Sequence, residues 1–188
     1  GNLSELELAM GDVTGAVHDA EQSVDFADRS GEASQIRYKR ATHADTIHQA
    51  GQREEALALF REAERLQAED QPDYPLLYSL GGFRYCDLLL SEAERTAWNH
   101  VPNQKSLESC RAASERAAQT LTWIKTQKWL LDIALDHLTL GRSALYSSIL
   151  DPAGTAHRPS AIEHIYAAVD GLRKAGTQDH LPRGLLSR

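Results

Sequence analysis

Residues 51–70 decide the fold of this chain, and they read GQREEALALFREAERLQAED. Ala56, Phe60 and Ala63 recur at spacings of three and four, while glutamate and arginine fill most of the remaining positions. Apolar residues at this period form a single stripe along an α-helix. The stretch therefore predicts an amphipathic helix with one buried side, and Gly51 predicts the turn at which a preceding helix ends.

The same period continues through the rest of the chain and predicts about eight helices. Valine, isoleucine and threonine are not gathered into alternating runs, so a sheet has little support. The helices pair most naturally as antiparallel hairpins in a single domain. The predicted hairpins span about residues 2–30, 32–70, 75–127 and 129–176, and a further helix starts within residues 180–188.

Prolines and capping residues mark the predicted helix ends. Proline lacks a backbone N–H, so each of the six prolines is expected between helices or in a first turn. Asp12 predicts the start of the second helix, and another helix is expected from Pro75 to about Ala97. A capping box of Ser160 and Glu163 predicts the start of the last long helix, in which Ile162 is expected to be buried.

Composition excludes several classes of protein. The 188 residues carry 20 basic and 27 acidic side chains, a formal charge of −7, which disfavours nucleic acid as a partner. No apolar run approaches the roughly 18 residues of a membrane span. Gly1 and the helix-like pattern near Arg188 predict a fragment of a longer protein, which we expect to be bacterial and cytoplasmic.

Small residues recur at matching places in the helix pairs. The fullest string is Gly51-x4-Ala56-x3-Phe60-x2-Ala63, and shorter counterparts are Gly11-x4-Ala16-x3-Ala20, Tyr78-x3-Gly82-x2-Tyr85, and Leu140-Gly141 followed by Ala161-x3-Ile165-x2-Ala168. This pattern resembles the tetratricopeptide repeat family, with helices longer than the family's repeat of about 34 residues allows. Small side chains suit the places where two helices approach closely.

The resemblance implies an all-α, right-handed α–α superhelix of about four stacked hairpins with one concave face. In this family the first helix of each hairpin lines that face, where a peptide or protein partner binds. Carried over by position, the partner-binding residues are Tyr38, Thr42, Asp45, His48, Gln49, Phe83, Asp87, Arg142 and Tyr146. The lysine and asparagine with which some members grip a peptide carboxylate are absent from these positions.

Motifs for catalysis or metal binding are absent from the sequence. There is no H-E-x-x-H, no C-x-x-C and no phosphate-binding glycine loop, and the eight histidines are expected at surface or partly buried positions. Cys86 and Cys110 are expected to be buried free thiols. The three tryptophans are expected to fill space between helices, with Trp98 the most exposed.

These observations support two hypotheses from different classes. The first is a non-catalytic protein–protein interaction scaffold or sensor segment, without a cofactor, whose partners are a peptide or protein and the flanking domains of the same chain. The alternative is an enzyme or a small-ligand or metal-binding module on the helical stack, using Asp45, His48 and Asp87. A helical repeat that binds RNA is a third option, weakened by the net charge of −7.

Overall fold

The computed structural model describes residues 3–99, 101, 103–151, 158–176 and 180–187, and this part is helical without a strand. The all-α prediction is therefore confirmed. The helices are α1 Leu3–Met10, α2 Val13–Ser30, α3 Ala33–Gln49, α4 Arg53–Asp70, α5 Ser79–Trp98, α6 Gln104–Ile124, α7 Leu130–Leu150, α8 Arg158–Ala175 and α9 Leu181–Leu186. A 3-10 turn, Lys125–Gln127, follows α6. Gly1 and Arg188 lie outside the described residues, as do Pro102 and Pro152 of the six prolines and His100 and His157 of the eight histidines.

Most helix ends lie where the sequence predicts them. Asp12 caps α2, because its Oδ1 accepts a hydrogen bond from the Gly15 N–H at 2.9 Å. Gly51 ends α3 with φ of +84°, a left-handed conformation that favours glycine, and α4 begins two residues later. Among the described residues, none of the helices combines the length and the apolar character that a bilayer span requires.

The start of α5 differs from the prediction. The helix begins at Ser79 and not at Pro75. Tyr78 is fully extended, and Ser79 itself has φ of +58°, so the chain turns sharply before regular helix geometry begins. The Ser79 hydroxyl donates to Asp132 Oδ1 at 2.6 Å, a contact with α7 that the local sequence does not reveal.

The start of α8 also differs from the prediction. The helix begins at Arg158, so Ser160 lies inside the first turn and does not cap the helix with Glu163. Ile162 is 58% exposed, and the expectation that it is buried is wrong. The buried side of α8 instead carries Ala161, Ile165, Ala168, Val169 and Leu172.

Contacts divide the chain into two compact units, Gly1–Leu77 and Tyr78–Arg188. In the first unit each helix packs on the next, from α1 to α4, and α1 also contacts α3. In the second unit α5 packs on α6 and α7, α6 packs on α7, α7 on α8, and α8 on α9. Packing of each helix on its neighbour, and of the first helices of successive pairs on each other, is compatible with a helical-repeat architecture.

The small residues of the repeated pattern lie inside both units. Ala56, Phe60 and Ala63 are fully buried in the first unit, as are their shorter counterparts Ala16 and Ala20. In the second unit the three residues of the matching α8 string are also buried: Ala161, Ile165 and Ala168. The predicted buried stripes are therefore confirmed at these positions.

The helices α7 and α8 approach each other closely at Gly141. A Cβ atom built on Gly141 would lie 2.6 Å from Ile165 Cγ1 and 3.0 Å from the Ile165 backbone nitrogen. The second atom belongs to the backbone and cannot rotate away. Only glycine therefore allows the two helices to keep this separation.

We expect Gly141→Ala to destabilise the protein by about 2 kcal/mol, because the overlap with α8 outweighs the gain in helix propensity. Urea unfolding measures the change. Ile165→Ala removes the nearer of the two clashing atoms. The double variant should consequently be more stable than the sum of the two single effects implies. Strict additivity would show that the Ile165 side chain contributes nothing to the cost of Gly141→Ala.

Candidate functional site

Five of the predicted partner-binding residues lie on α3, and their exposure differs. Thr42 is buried, whereas Tyr38 is half-buried and its hydroxyl donates to Glu5 Oε1 of α1 at 3.4 Å. Asp45 and His48 are half-buried, and Gln49 is exposed. Partner binding by these five residues stays a prediction: Tyr38, Thr42, Asp45, His48 and Gln49. The last three form the more accessible end of the set.

The other four predicted residues lie in the interior of the second unit. Phe83, Asp87, Arg142 and Tyr146 are all at most 4% exposed. The expectation that they line an open surface is wrong, because α5 and α7 pack on each other and enclose them. The alternative hypothesis places a small-ligand or metal site at Asp45, His48 and Asp87. Because Asp87 is buried, it is not accessible to such a ligand.

Arg142 is the centre of a buried ionic cluster. Its guanidinium donates to Asp87 Oδ1 at 2.8 Å, to Glu94 Oε2 at 2.9 Å and to the Tyr146 hydroxyl at 3.2 Å. Burial acts to lower the pKa of Arg142, but the charges of Asp87 and its neighbours outweigh burial and raise the pKa. Burial raises the pKa of Tyr146 to about 12. Arg142 thus stays charged and joins α5 to α7.

We expect Arg142→Met to destabilise the protein by about 3–5 kcal/mol, because Asp87 is left buried without its counter-ion. Asp87→Leu combined with Arg142→Met removes both buried charges and should restore most of that loss. Glu94 is 35% exposed at its side chain and regains water in both variants. Urea unfolding of the two variants makes the comparison. A double variant no more stable than Arg142→Met would contradict this account.

Further titratable groups are buried along α7. Asp136 accepts a hydrogen bond from the Thr120 hydroxyl at 2.9 Å, and burial raises its pKa to about 7. The Nδ1 atoms of His137 and His164 lie 2.8 Å apart, and burial lowers the pKa of each imidazole. Over the ranges that the structure describes, no group of three or more histidine, cysteine or acidic side chains is arranged to hold a metal ion.

Asp136 should make folding stability depend on pH. Its pKa is about 3.9 in an unfolded chain and about 7 in the folded protein. The protonated carboxyl favours the folded state, and its contribution to the free energy of unfolding is lost as the pH rises between these values. We expect Asp136→Asn to stabilise the protein at pH 8 by roughly 2 kcal/mol more than at pH 5.

Urea unfolding at both pH values measures this difference. Asp170→Asn is the matched control, because Asp170 is exposed and its carboxylate pairs with Lys174 at 2.6 Å. Equal effects of Asp136→Asn at the two pH values would contradict the raised pKa.

An apolar groove of about 280 Å³ runs between α7 and α8. Its apolar lining comes from Leu145 and Ile149 on α7 and from Ile162, Ile165 and Tyr166 on α8. We call it the α7–α8 groove. Within it, Ile162 and Tyr166 are 58% and 50% exposed, which is unusual for large apolar side chains.

The sequence holds a signal for this groove that the predictions missed. Ile162 and Tyr166 are four residues apart, and each lies one position after a residue of the buried Ala161 and Ile165 stripe. This spacing gives α8 a second, narrower apolar stripe beside the buried one.

Two of the three tryptophans, Trp98 and Trp129, lie at the surface. Trp98 is 58% exposed, which confirms it as a surface residue. Trp129 is 46% exposed, so the expectation that it fills the interior is wrong. Its ring stacks on Tyr78, with 6.5 Å between the ring centroids.

Comparison of the chain with models of protein families, with curated proteins and with solved structures finds no match in any of the three. The likeness to tetratricopeptide repeats accordingly rests on the packed helix pairs and on the small residues buried between them.

Proposed function

We propose that this chain is a non-catalytic protein-interaction segment that binds an amphipathic helix of a partner protein in the α7–α8 groove. The observation that carries the proposal is the exposure of Ile162 and Tyr166 beside an open apolar groove. Apolar surface of this kind is a common mark of protein–protein binding sites. The groove thereby replaces the interior residues of α5 and α7 as the proposed binding surface.

The shape of the groove favours a helix as its occupant. Leu145 and Ile149 are four residues apart on α7, as Ile162 and Tyr166 are on α8, so each wall is a ridge of side chains one turn apart. Ridges of this type interdigitate with the side chains of another helix. A volume of about 280 Å³ takes inserted side chains and not a whole helix. The partner would present apolar residues at positions i, i+4 and i+7.

Charge adds a second feature of the partner. Arg158 lies at the groove and is exposed, and no carboxylate among the described residues pairs with it. An acidic residue beside the partner's apolar stripe would meet this guanidinium. The chain as a whole carries a charge of −7, so a partner that is neutral or basic elsewhere would avoid long-range repulsion.

The proposal includes the finer architecture that the resemblance implies. Successive pairs would stack as a right-handed tetratricopeptide-like superhelix, within a scaffold or sensor of a longer cytoplasmic protein that also contributes flanking domains as partners. Its support is the burial of the small-residue strings, together with packing between the first helices of successive pairs. The end of α3, with the half-buried His48 and the exposed Gln49, is a second surface that such an array would present.

Selection from a displayed library of helix-forming peptides tests the proposal. We expect the selected peptides to share an apolar i, i+4, i+7 pattern and to bind with micromolar dissociation constants. Ile162→Asp should weaken their binding at least tenfold, because it places a charge in the apolar groove. Phe26→Asp is the control, since Phe26 is 64% exposed, close to the 58% of Ile162, but lies on α2.

Two results would overturn this assignment. One is a selection without an apolar helical pattern, or one whose peptides bind Ile162→Asp as tightly as the unchanged chain. The other is a dimer in sedimentation equilibrium that Ile162→Asp dissociates, since the groove would then be occupied by a second copy of this chain.

A further inference from the structure

A cavity of about 500 Å³ lies among α6, α7 and the first turns of α8. Its apolar lining comes from Leu107, Cys110, Leu140 and Ala144, and its polar lining includes four serines, Arg111, Glu115 and His164. We call it the α6–α7 cavity. Its volume lies in the range of sites for small molecules, and its lining is more polar than is usual for them, which favours a polar or charged ligand.

Ser143 carries an unused hydrogen-bonding group on the lining of this cavity. The residue is 2% exposed, and its Oγ atom is buried without a hydrogen-bond partner among the described residues. Other hydroxyls on α7 are satisfied: Ser148 donates to the Leu145 carbonyl at 2.8 Å, and Thr139 to the Leu135 carbonyl at 3.2 Å. A buried hydroxyl without a partner is costly, so the Ser143 hydroxyl is available to hydrogen bond to a molecule bound in the cavity.

Three charged side chains line the same cavity: Arg111 and Glu115, which are both exposed, and Asp151 at the end of α7. Arg111 and Glu115 are four residues apart on α6, a spacing that places both on one face. Within the described part of the chain they form no ion pair with each other, whereas Arg65 and Glu69 at the same spacing pair at 2.5 Å. The two groups are thus available for a ligand that carries both a negative and a positive charge.

We propose that the α6–α7 cavity binds a small zwitterion of the amino-acid class. Its carboxylate lies toward Arg111, its ammonium lies toward Glu115, and Ser143 hydrogen bonds to its polar end. The side chain of the ligand packs on Leu107 and Leu140. This site is separate from the α7–α8 groove and does not rest on the proposed helix binding.

The cavity binds its ligand without covalent chemistry at Cys110. Burial raises the pKa of this thiol to about 11, so the thiolate nucleophile is scarce near neutral pH. The imidazole of His164 is already engaged through Nδ1 with His137.

Thermal unfolding with each of the twenty L-amino acids, added singly at millimolar concentration, tests the proposal. We expect at least one to raise the melting temperature by several degrees. The carboxamide and the N-acetyl form of that amino acid each lack one charge and should give no shift. The proposal is overturned if none of the twenty shifts the melting temperature, or if both derivatives act as well as the free amino acid.

Variants test the assigned roles of the lining residues, with affinity measured by calorimetry. Arg111→Gln and Glu115→Gln should each weaken binding about tenfold. Ser143→Ala should weaken it comparably while leaving the melting temperature of the unliganded protein unchanged or higher, since its hydroxyl has no partner to lose. Ser148→Ala is the control and should leave the affinity unchanged.

Two outcomes separate the site from its alternatives. A Ser143→Ala variant that lowers the melting temperature of the unliganded protein and keeps full affinity would show that the hydroxyl is structural. Ile162→Asp should leave amino-acid binding intact, so failure of the helix-binding proposal and failure of this one are distinguishable.

Discussion

The close approach of α7 and α8 at Gly141 is the constraint on which the second unit depends. Because no side chain separates the helices there, the residues that flank the contact diverge onto two distinct faces. Leu145 and Ile162 are turned toward the α7–α8 groove, whereas Ser143 and His164 line the α6–α7 cavity. On each helix, the residue at the groove and the residue at the cavity are two positions apart, which is about half a turn. The close contact at Gly141, together with a second one where a Cβ on Gly171 would lie 2.8 Å from Ala134 Cβ, thus fixes the helix spacing beside both candidate binding sites.

The buried guanidinium of Arg142 imposes a second constraint, of a different kind. Burying an ion pair contributes little net stability compared with apolar residues of similar size, but an unpaired buried charge is strongly unfavourable. Arg142 must therefore meet Asp87, and a slip of α7 along α5 would separate them. The cluster fixes the register between these helices, while the apolar side chains around Phe83 and Leu138 supply the driving force for their association.

The helices were predictable from the sequence because periodicity is a local property. The stripe of Ala56, Phe60 and Ala63 and the turn at Gly51 are set by residues a few positions apart. The start of α5 was not predictable in this way. It depends on the left-handed conformation of Ser79 and on its hydrogen bond to Asp132, 53 residues away. A residue-by-residue pattern contains no information about such a partner.

The site was less predictable, because exposure depends on which neighbours cover a helix face. Position within the repeat predicted that Asp87 and Arg142 lie on an open surface. They pair in the interior instead, and because they are 55 residues apart, the sequence gives no sign of this ion pair. The prediction for Ile162 was wrong in the opposite direction. Its apolar character predicts burial, but α8 already buries Ile165 against α7, and Ile162 is exposed. A helix buries the stripe that faces its neighbour, so a second apolar stripe beside the buried one is left more exposed. The two candidate sites of this chain are therefore marked by exposed apolar residues and by one buried hydroxyl without a partner among the described residues, whereas position within a repeat pointed to Asp87 and Arg142, which are buried.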